Sequence, residues 1–435
     1  MSPVDNETMA MPKAWGRRAP VRRAAPKARL NALSWVVLPT LFVIVFGSLN
    51  VDIYFKHVYL FELGIALNVG LLLMQLFWVK LSAGQMVIWV AFPAALLAFF
   101  IGLWGFMFQL NTGATYVFSS LALRGWAYYL LTSNIYIAHL GGVDWRKMAF
   151  SIVSAMFVAT ALIGIAYAVL PLNIYAVSAD PYVRRLVMVD ELRGVRLRVP
   201  WFSLAFVFFF CAIESFRTKF RSLPMLAMFA VSVAVWTISY SRVLVLSSIV
   251  AVLVYKFVFR TKQFFFVGLG FMGVVLSLAV GFIINDPQSL TAYLSRDNSF
   301  LSRSSTLAVA LSEIPAHPIF GYGKDSYNTI SFSYIFGPFF SPSDIGLLGT
   351  LFRFGVVGVI VYLALAVSVV TSLRYVILNN RQMSNDSFVI ALSLTTLLML
   401  VSSVSFIGFI DDDGVMIAAC SLAFALIGRR MTVRR

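Results

Sequence analysis

The sequence predicts an all-α fold, that of a polytopic integral membrane protein. Hydrophobic residues make up 60% of its 435 residues, and the mean hydropathy is +0.88. Apolar runs of the ~20 residues needed to cross hydrocarbon recur along the chain. Two long interruptions, 171–198 and 285–344, separate groups of these runs. We therefore expect membrane-spanning helices joined mostly by short connections, with two long loops.

The apolar runs predict about twelve transmembrane helices. Their approximate limits are 32–50, 58–79, 84–109, 114–138, 149–170, 199–216, 224–240, 243–259, 264–284, 345–373, 387–408 and 414–428. Residues 1–31 are rich in Arg, Lys and Pro, so we expect a disordered basic tail there. Residues 32–430 are predicted to form a single transmembrane domain.

Basic residues close to a span stay cytoplasmic, and their distribution therefore predicts the orientation. Most of the 34 Lys and Arg residues fall in cytoplasmic segments if the amino terminus is inside. Both termini should then be cytoplasmic, and both long loops should lie outside. The net charge of +16 is spread over many loops, so it indicates contacts with membrane lipids and not with nucleic acid.

The residue types needed for a metal site or a disulfide framework are sparse. Both cysteines, Cys211 and Cys420, fall within predicted spans, and the three histidines form no cluster. We expect neither a metal nor another cofactor. The acidic run 411–413 is interpreted as a solvated loop between the last two spans.

The loop 171–198 is unusually basic for an external segment. Its arginines are Arg184, Arg185, Arg193, Arg196 and Arg198. Guanidinium groups match phosphate oxygens bidentately, so one interpretation is an anion-binding loop. The other is an ordinary loop, because long loops are translocated regardless of charge.

Three local patterns fall at the ends of the long loops or spans. They are Arg193-Gly194 followed by Pro200-Trp201, Ser239-Tyr240-Ser241-Arg242 entering a span, and Arg303 followed by His317-Pro318 and Gly321-Tyr322-Gly323. In this order the patterns resemble the bacterial O-antigen polymerase and O-antigen ligase superfamily. Its members are multi-span glycosyltransferases that handle lipid-linked polysaccharide at the outer face of the inner membrane.

The resemblance implies a GT-C-like membrane glycosyltransferase of the bacterial inner membrane. Its substrate would be an oligosaccharide linked to a polyprenyl diphosphate, and its partners a chain-length regulator and other polysaccharide-export components. Ligases of the family carry a His-Asn or similar pair shortly before a Glu-x-Gly. Alignment on Gly355 places Asp344 at that histidine and Arg353 at that glutamate. Because the histidine is absent, we expect the polymerase branch, which transfers a growing chain to an incoming lipid-linked unit.

Such a transfer requires cations that stabilise the departing diphosphate and a base that accepts the proton of the acceptor hydroxyl. The predicted diphosphate-binding residues are Arg193, Arg242, Arg303, Arg184 and Arg185. Asp344 and His317 are the predicted catalytic residues.

Each of these roles has a structural alternative. Arg242 could reach towards lipid headgroups, and Arg303 could pair with Glu313 or Asp297. Asp344 could cap the following helix, and His317 could fix a turn before Pro318.

Three charged residues inside predicted spans, Glu62, Arg124 and Arg353, form a second tier of site candidates. A charge in hydrocarbon is costly, so these side chains should face protein or a water-filled cavity. Two other functions stay open. A ligase that passes finished polymer to an acceptor would need a histidine such as His317, and a lipid-linked oligosaccharide flippase or transporter would line its spans with charged residues.

Overall fold

The computed structural model describes residues 27–49, 59–177, 187–190, 194–197, 199–239, 242–259, 298–325, 332–337, 340–404, 408–410 and 412–433. Within these ranges the chain is helical apart from one two-stranded hairpin. The first half contains α1 Lys27–Ser48, α2 Leu60–Trp78, α3 Ala83–Thr112, α4 Tyr116–Leu121, a 3-10 helix Arg124–Tyr129, α5 Leu130–Leu140, α6 Trp145–Val169 and α7 Leu172–Ala176.

The second half begins with the hairpin strands. It contains β1 Val187–Asp190, β2 Gly194–Leu197, α8 Trp201–Arg217, α9 Leu223–Ser239, α10 Arg242–Val254, α11 Asn298–Glu313, α12 Phe332–Phe336, α13 Gly346–Asn379, α14 Arg381–Ser384, α15 Ser387–Val401 and α16 Asp412–Val433. Further 3-10 helices are Ile314–Ala316, Pro342–Ile345 and Ser402–Val404, and π turns cover Val87–Ala91 and Tyr255–Phe259.

In the part of the chain that the structure describes, five helices are long and apolar enough to cross a membrane by length and composition. They are Leu60–Trp78, Ala83–Thr112, Trp145–Val169, Pro342–Asn379 and Asp413–Val433. The same part contains four shorter apolar helices, Ala32–Ser48, Leu223–Trp236, Val245–Phe257 and Ser387–Val401. The predicted span 264–284 lies outside the described residues. The class of membrane protein is thus supported, and the count of about twelve spans stays a prediction.

The span predicted as one helix over 114–138 is broken, and that prediction is wrong. Helix α3 ends at Gly113, whose φ is +70°. The chain then reverses, and α4 packs back along α3 so closely that a Cβ on Gly105 would lie 3.0 Å from the Cα of Ser120. The 3-10 helix follows, and the indole of Trp126 donates to the carbonyl of Ile410 at 3.0 Å. Tertiary packing here overrides a continuous apolar run.

The first long loop contains the hairpin, which an all-α prediction misses. Strands β1 and β2 are antiparallel, and Val187 is paired with Leu197. The hydroxyl of Tyr167 at the end of α6 bonds both the N–H of Leu197, at 3.1 Å, and its carbonyl, at 3.2 Å. The hairpin is therefore attached to the helical domain through its second strand.

Asp413 is a tertiary helix cap, so the interpretation of the acidic run as a solvated loop is wrong for this residue. One of its carboxylate oxygens accepts the backbone N–H of Phe202, in the first turn of α8, at 2.9 Å. A carboxylate at this position satisfies an N–H that lacks an intrahelical partner. The contact joins the start of α16 to the start of α8.

Candidate functional site

Helix α13 is broken at Gly355, where φ is +64° and ψ is −167°. The break leaves backbone groups on both sides without helical partners, and the segment 318–323 of the second long loop supplies them. Four bonds do so, Tyr322 N–H to Phe352 O at 2.9 Å, Gly323 N–H to Arg353 O at 2.6 Å, Val356 N–H to Pro318 O at 2.9 Å and Val357 N–H to Ile319 O at 3.2 Å. Non-helical backbone at a break in an apolar helix is tolerated where protein satisfies it in this way.

The glycines of Gly321-Tyr322-Gly323 permit this close approach. Their φ values are +66° and +89°, and a Cβ on Gly321 would lie 2.5 Å from the carbonyl of Arg353. A Cβ on Gly323 would lie 2.6 Å from the carbonyl oxygen of Trp104. The pattern therefore marks a place where the loop backbone lies directly on two helices.

Helix α3 holds the other side of the loop. The indole N–H of Trp104 lies 3.1 Å from the carbonyl of Phe320 and 3.3 Å from that of Phe354. Nearer the end of α3, the Asn111 amide donates to the carbonyl of Gly321 at 3.2 Å. Loop, α3 and the break in α13 thus form one hydrogen-bonded unit.

Arg353, two residues before the break, is 6% exposed and pairs with Asp325 at 3.3 Å. The prediction that it faces protein is confirmed. The second oxygen of Asp325 lies 3.3 Å from the backbone N–H of Phe332, which begins α12. Asp325 was not among the sequence candidates. The signal that could have found it is the buried arginine itself, because a buried charge requires a partner.

The second long loop packs on a set of aromatic rings, which we call the loop aromatic cluster. It comprises Phe108, Tyr322, Phe332, Phe340 and Phe352. The Phe352 ring is central, with ring centroids 4.8 Å from Tyr322, 5.2 Å from Phe332 and 5.1 Å from Phe340. These contacts bind the first half of α13 to the second long loop by apolar packing as well as by hydrogen bonds.

Arg303 and Asp344 each lie one turn from a contact between α11 and the Pro342–Ile345 turn. The backbone N–H of Ser341 lies 3.2 Å from the hydroxyl of Thr306, one helical turn after Arg303 on α11. Asp344 lies one turn after Ser341, and its N–H donates to the Ser341 carbonyl at 3.0 Å. Both charged residues are partly exposed. The Arg303 cation therefore lies one turn from Thr306, and the Asp344 carboxylate lies one turn from Ser341, on the two sides of the Thr306–Ser341 hydrogen bond.

The structural alternatives for these two residues are not supported within the described ranges. Ile345, which precedes the first turn of α13, makes no side-chain cap, and the Asp344 carboxylate forms no hydrogen bond or ion pair there. The capping interpretation of Asp344 is wrong. Glu313 accepts the Tyr322 hydroxyl at 2.6 Å and does not pair with Arg303, while Asp297 lies outside the described residues.

His317 fixes a turn, as the alternative interpretation predicts. Its N–H donates to the carbonyl of Ile314 at 3.1 Å, and its own carbonyl accepts from Gly321 at 3.0 Å. The imidazole packs on the Tyr322 ring with centroids 4.4 Å apart. Burial, followed by the bond to Glu313, raises the pKa of the Tyr322 phenol, so this hydroxyl stays a donor. A catalytic role for His317 stays a prediction.

Glu62 and Arg124 form an ion pair of 3.1 Å, with side chains 45% and 41% exposed. Glu62 is in the first turn of α2, and Arg124 begins the 3-10 helix. Glu62 lies inside the candidate span Leu60–Trp78, as predicted. The expectation that Arg124 lies inside a continuous span is wrong, because it stands at the break between α4 and the 3-10 helix. The two residues pair with each other. Their mutual pairing and the Phe61 ring, 5.2 Å from the Arg124 guanidinium, account for their position.

The remaining predicted arginines are not placed by side-chain contacts. Arg184, Arg185 and Arg193 lie outside the described residues, the last of them between β1 and β2. Arg242 is the first residue of α10, and its side chain is not described. Within the described part of the chain, no group of three or more His, Cys, Asp or Glu could hold a metal ion.

Residues 226–363 match the family model of O-antigen ligase. This match supports the resemblance to the O-antigen polymerase and ligase superfamily, and we call the matched residues the superfamily segment. It runs from α9 into α13, about a third of the chain, and contains Arg303, Asp344, the broken helix and the Asp325–Arg353 pair. The arginines of the first long loop fall outside the superfamily segment. No curated protein gives a significant match to the chain.

Proposed function

We propose that the protein polymerises lipid-linked polysaccharide repeat units at the outer face of the bacterial inner membrane. The superfamily segment supports a role in polysaccharide assembly. The single observation that carries the choice of site is the placement of Arg303 and Asp344 beside the Thr306–Ser341 contact. Neither side chain has an ion-pair partner among the described residues, so both are available to a ligand.

The chemistry follows from these two charges. The acceptor sugar hydroxyl gives its proton to the Asp344 carboxylate while its oxygen attacks the anomeric carbon of the donor chain. The bond from that carbon to the diphosphate oxygen breaks, and the electron pair leaves with the diphosphate. Arg303 stabilises this developing charge, together with Arg242, Arg193, Arg184 and Arg185. The products are a lengthened lipid-linked chain and a polyprenyl diphosphate.

The first alternative is a ligase, and the match to an O-antigen ligase family favours it. In that reaction finished polymer is passed to a different acceptor, with His317 as the candidate base. The side chain at the position of the expected histidine is Asp344, which favours the polymerase.

The second alternative is a flippase or transporter, which would line its path with charged groups. Glu62 and Arg124 neutralise each other, and Arg353 is neutralised by Asp325. Paired charges of this kind fit structural roles better than a transport path.

The surface glycan of a deletion strain tests the proposal. Loss of a polymer ladder with retention of a single repeat unit supports a polymerase. Polymer stranded on the polyprenyl carrier identifies a ligase, and lipid-linked units that stay on the cytoplasmic face identify a flippase. Copurification with a chain-length regulator, and retention of anionic lipid, test the expected partners.

A further inference from the structure

The Asp325 carboxylate joins three neighbouring parts of the chain, all within residues 318–353. Through Arg353 it holds α13 just before the break, and through the N–H of Phe332 it holds the start of α12. It also follows directly after the segment 318–323, which completes the broken helix. One side chain therefore links the loop backbone, the broken helix and α12.

The buried Asp325–Arg353 ion pair carries a desolvation cost. The side chains are 8% and 13% exposed for Arg353 and Asp325. The Nε of Arg353 is buried and has no hydrogen-bond partner within the described residues. Burial of a charge pair costs desolvation energy, and apolar replacements of similar volume are often as stable. Stability alone is thus a weak reason for an ion pair at this position.

A continuous series of contacts runs from the pair to the proposed site. Phe332, held by Asp325, packs on Phe352 and Phe340 within the loop aromatic cluster. Ser341 directly follows Phe340 in the chain. Its contact with Thr306 lies one turn from Arg303 and from Asp344. A shift of α12 would therefore move the Pro342–Ile345 turn relative to α11.

We propose that Asp325 is a positioning residue, which acts through Arg353 and Phe332 to set the separation of Arg303 and Asp344. It touches no reacting atom. Its role in catalysis rests on the proposed function, whereas its role in placing the loop does not.

The first measurement is hydrogen exchange on the purified full chain, which needs no activity. Asp325→Asn should raise exchange of the Tyr322, Gly323 and Phe332 amides by about tenfold or more, because the loop loses its ionic attachment. Amides of α15 should keep their wild-type rates. Unchanged exchange at all three loop amides would overturn the proposal, whatever the protein catalyses.

The second measurement compares glycan ladders at matched membrane levels. Asp325→Asn and Arg353→Met should each shorten or remove the ladder, and Arg353→Lys, which keeps the charge, should partly restore it. A doubly apolar variant, Asp325→Leu with Arg353→Met, leaves no unpaired charge, so its thermal stability should exceed that of Arg353→Met. A positioning role predicts that its ladder stays short. A wild-type ladder in this variant would mean that the pair is merely structural.

A matched control is the Glu214–Arg217 pair, of 3.2 Å, near the end of α8. Glu214→Gln breaks this half-exposed pair and should leave both the ladder and the loop exchange rates unchanged. If the deletion strain itself keeps its ladder, the proposed function fails, and the exchange measurement still decides the role of Asp325.

Discussion

Replacement of Asp344 separates chemistry from structure more sharply than any other single change. If its carboxylate is the general base, both Asp344→Asn and Asp344→Ala remove it, and general-base catalysis typically contributes about 10²–10⁴-fold. A cap would behave differently, since Asn caps about as well as Asp and Ala costs about 1 kcal/mol. The structure shows no bond from this carboxylate to α13, so neither variant should lose more than about 0.5 kcal/mol.

The assay is polymer formation in a deletion strain that carries each variant at an equal membrane level. Thermal unfolding in detergent is measured on the same proteins. Asp413, which does cap a helix, is the matched control, because Asp413→Ala should lower stability and Asp413→Asn should largely retain it. An active Asp344→Asn protein would remove Asp344 from the mechanism. A destabilised Asp344→Ala protein with an intact Asn variant would restore the capping interpretation.

Four further predictions address Arg303, the break in α13 at Gly355, the N-cap of α15 and the topology. Arg303→Ala should abolish polymer and Arg303→Lys should only partly retain it, because an ammonium lacks the planar fork of a guanidinium. A ladder of wild-type length in both variants would exclude diphosphate binding by this residue. Gly355→Ala places a Cβ 2.2 Å from the carbonyl oxygen of Ile319 at a positive φ, so unfolding in detergent should show a loss of at least about 1–3 kcal/mol. Burial raises the pKa of Asp386, the N-cap of α15, so the stability it contributes is present below its unfolded pKa and is lost as pH rises through the folded value. Asp386→Asn keeps the cap, and its melting temperature relative to wild type should therefore be higher at pH 7 than at pH 4, whereas a relative loss at pH 7 would contradict the burial argument. Reporters fused after residues 220 and 380 should be cytoplasmic and those in 171–198 and 285–344 external, and a cytoplasmic reporter in either long loop would reverse the face on which substrate is sought.

The sequence predicts the elements whose signal is local. Apolar runs locate the helices, and a single charge in a span predicts that Arg353 faces protein. It does not predict the partner of Arg353, because Asp325 lies in a polar loop among several other acids. It also misses the break between α4 and the 3-10 helix, since the run 114–138 has no feature that marks an interruption at this point. The order Ser341-Pro342-Ser343-Asp344 before an apolar run favours a cap at Asp344, but a 3-10 turn intervenes and the N-cap position falls at Ile345.

The indole of Trp104 also bears on how the protein is made. Its hydrogen-bond acceptor at Phe354 lies 250 residues further along the chain. At ordinary rates of translation that stretch takes about 10–50 s to synthesise. During most of this interval the indole N–H has neither the loop 318–323 nor the later helix to bind, because neither has been synthesised. The α3 side and the α13 side of the site can therefore come together only once residue 354 has been made.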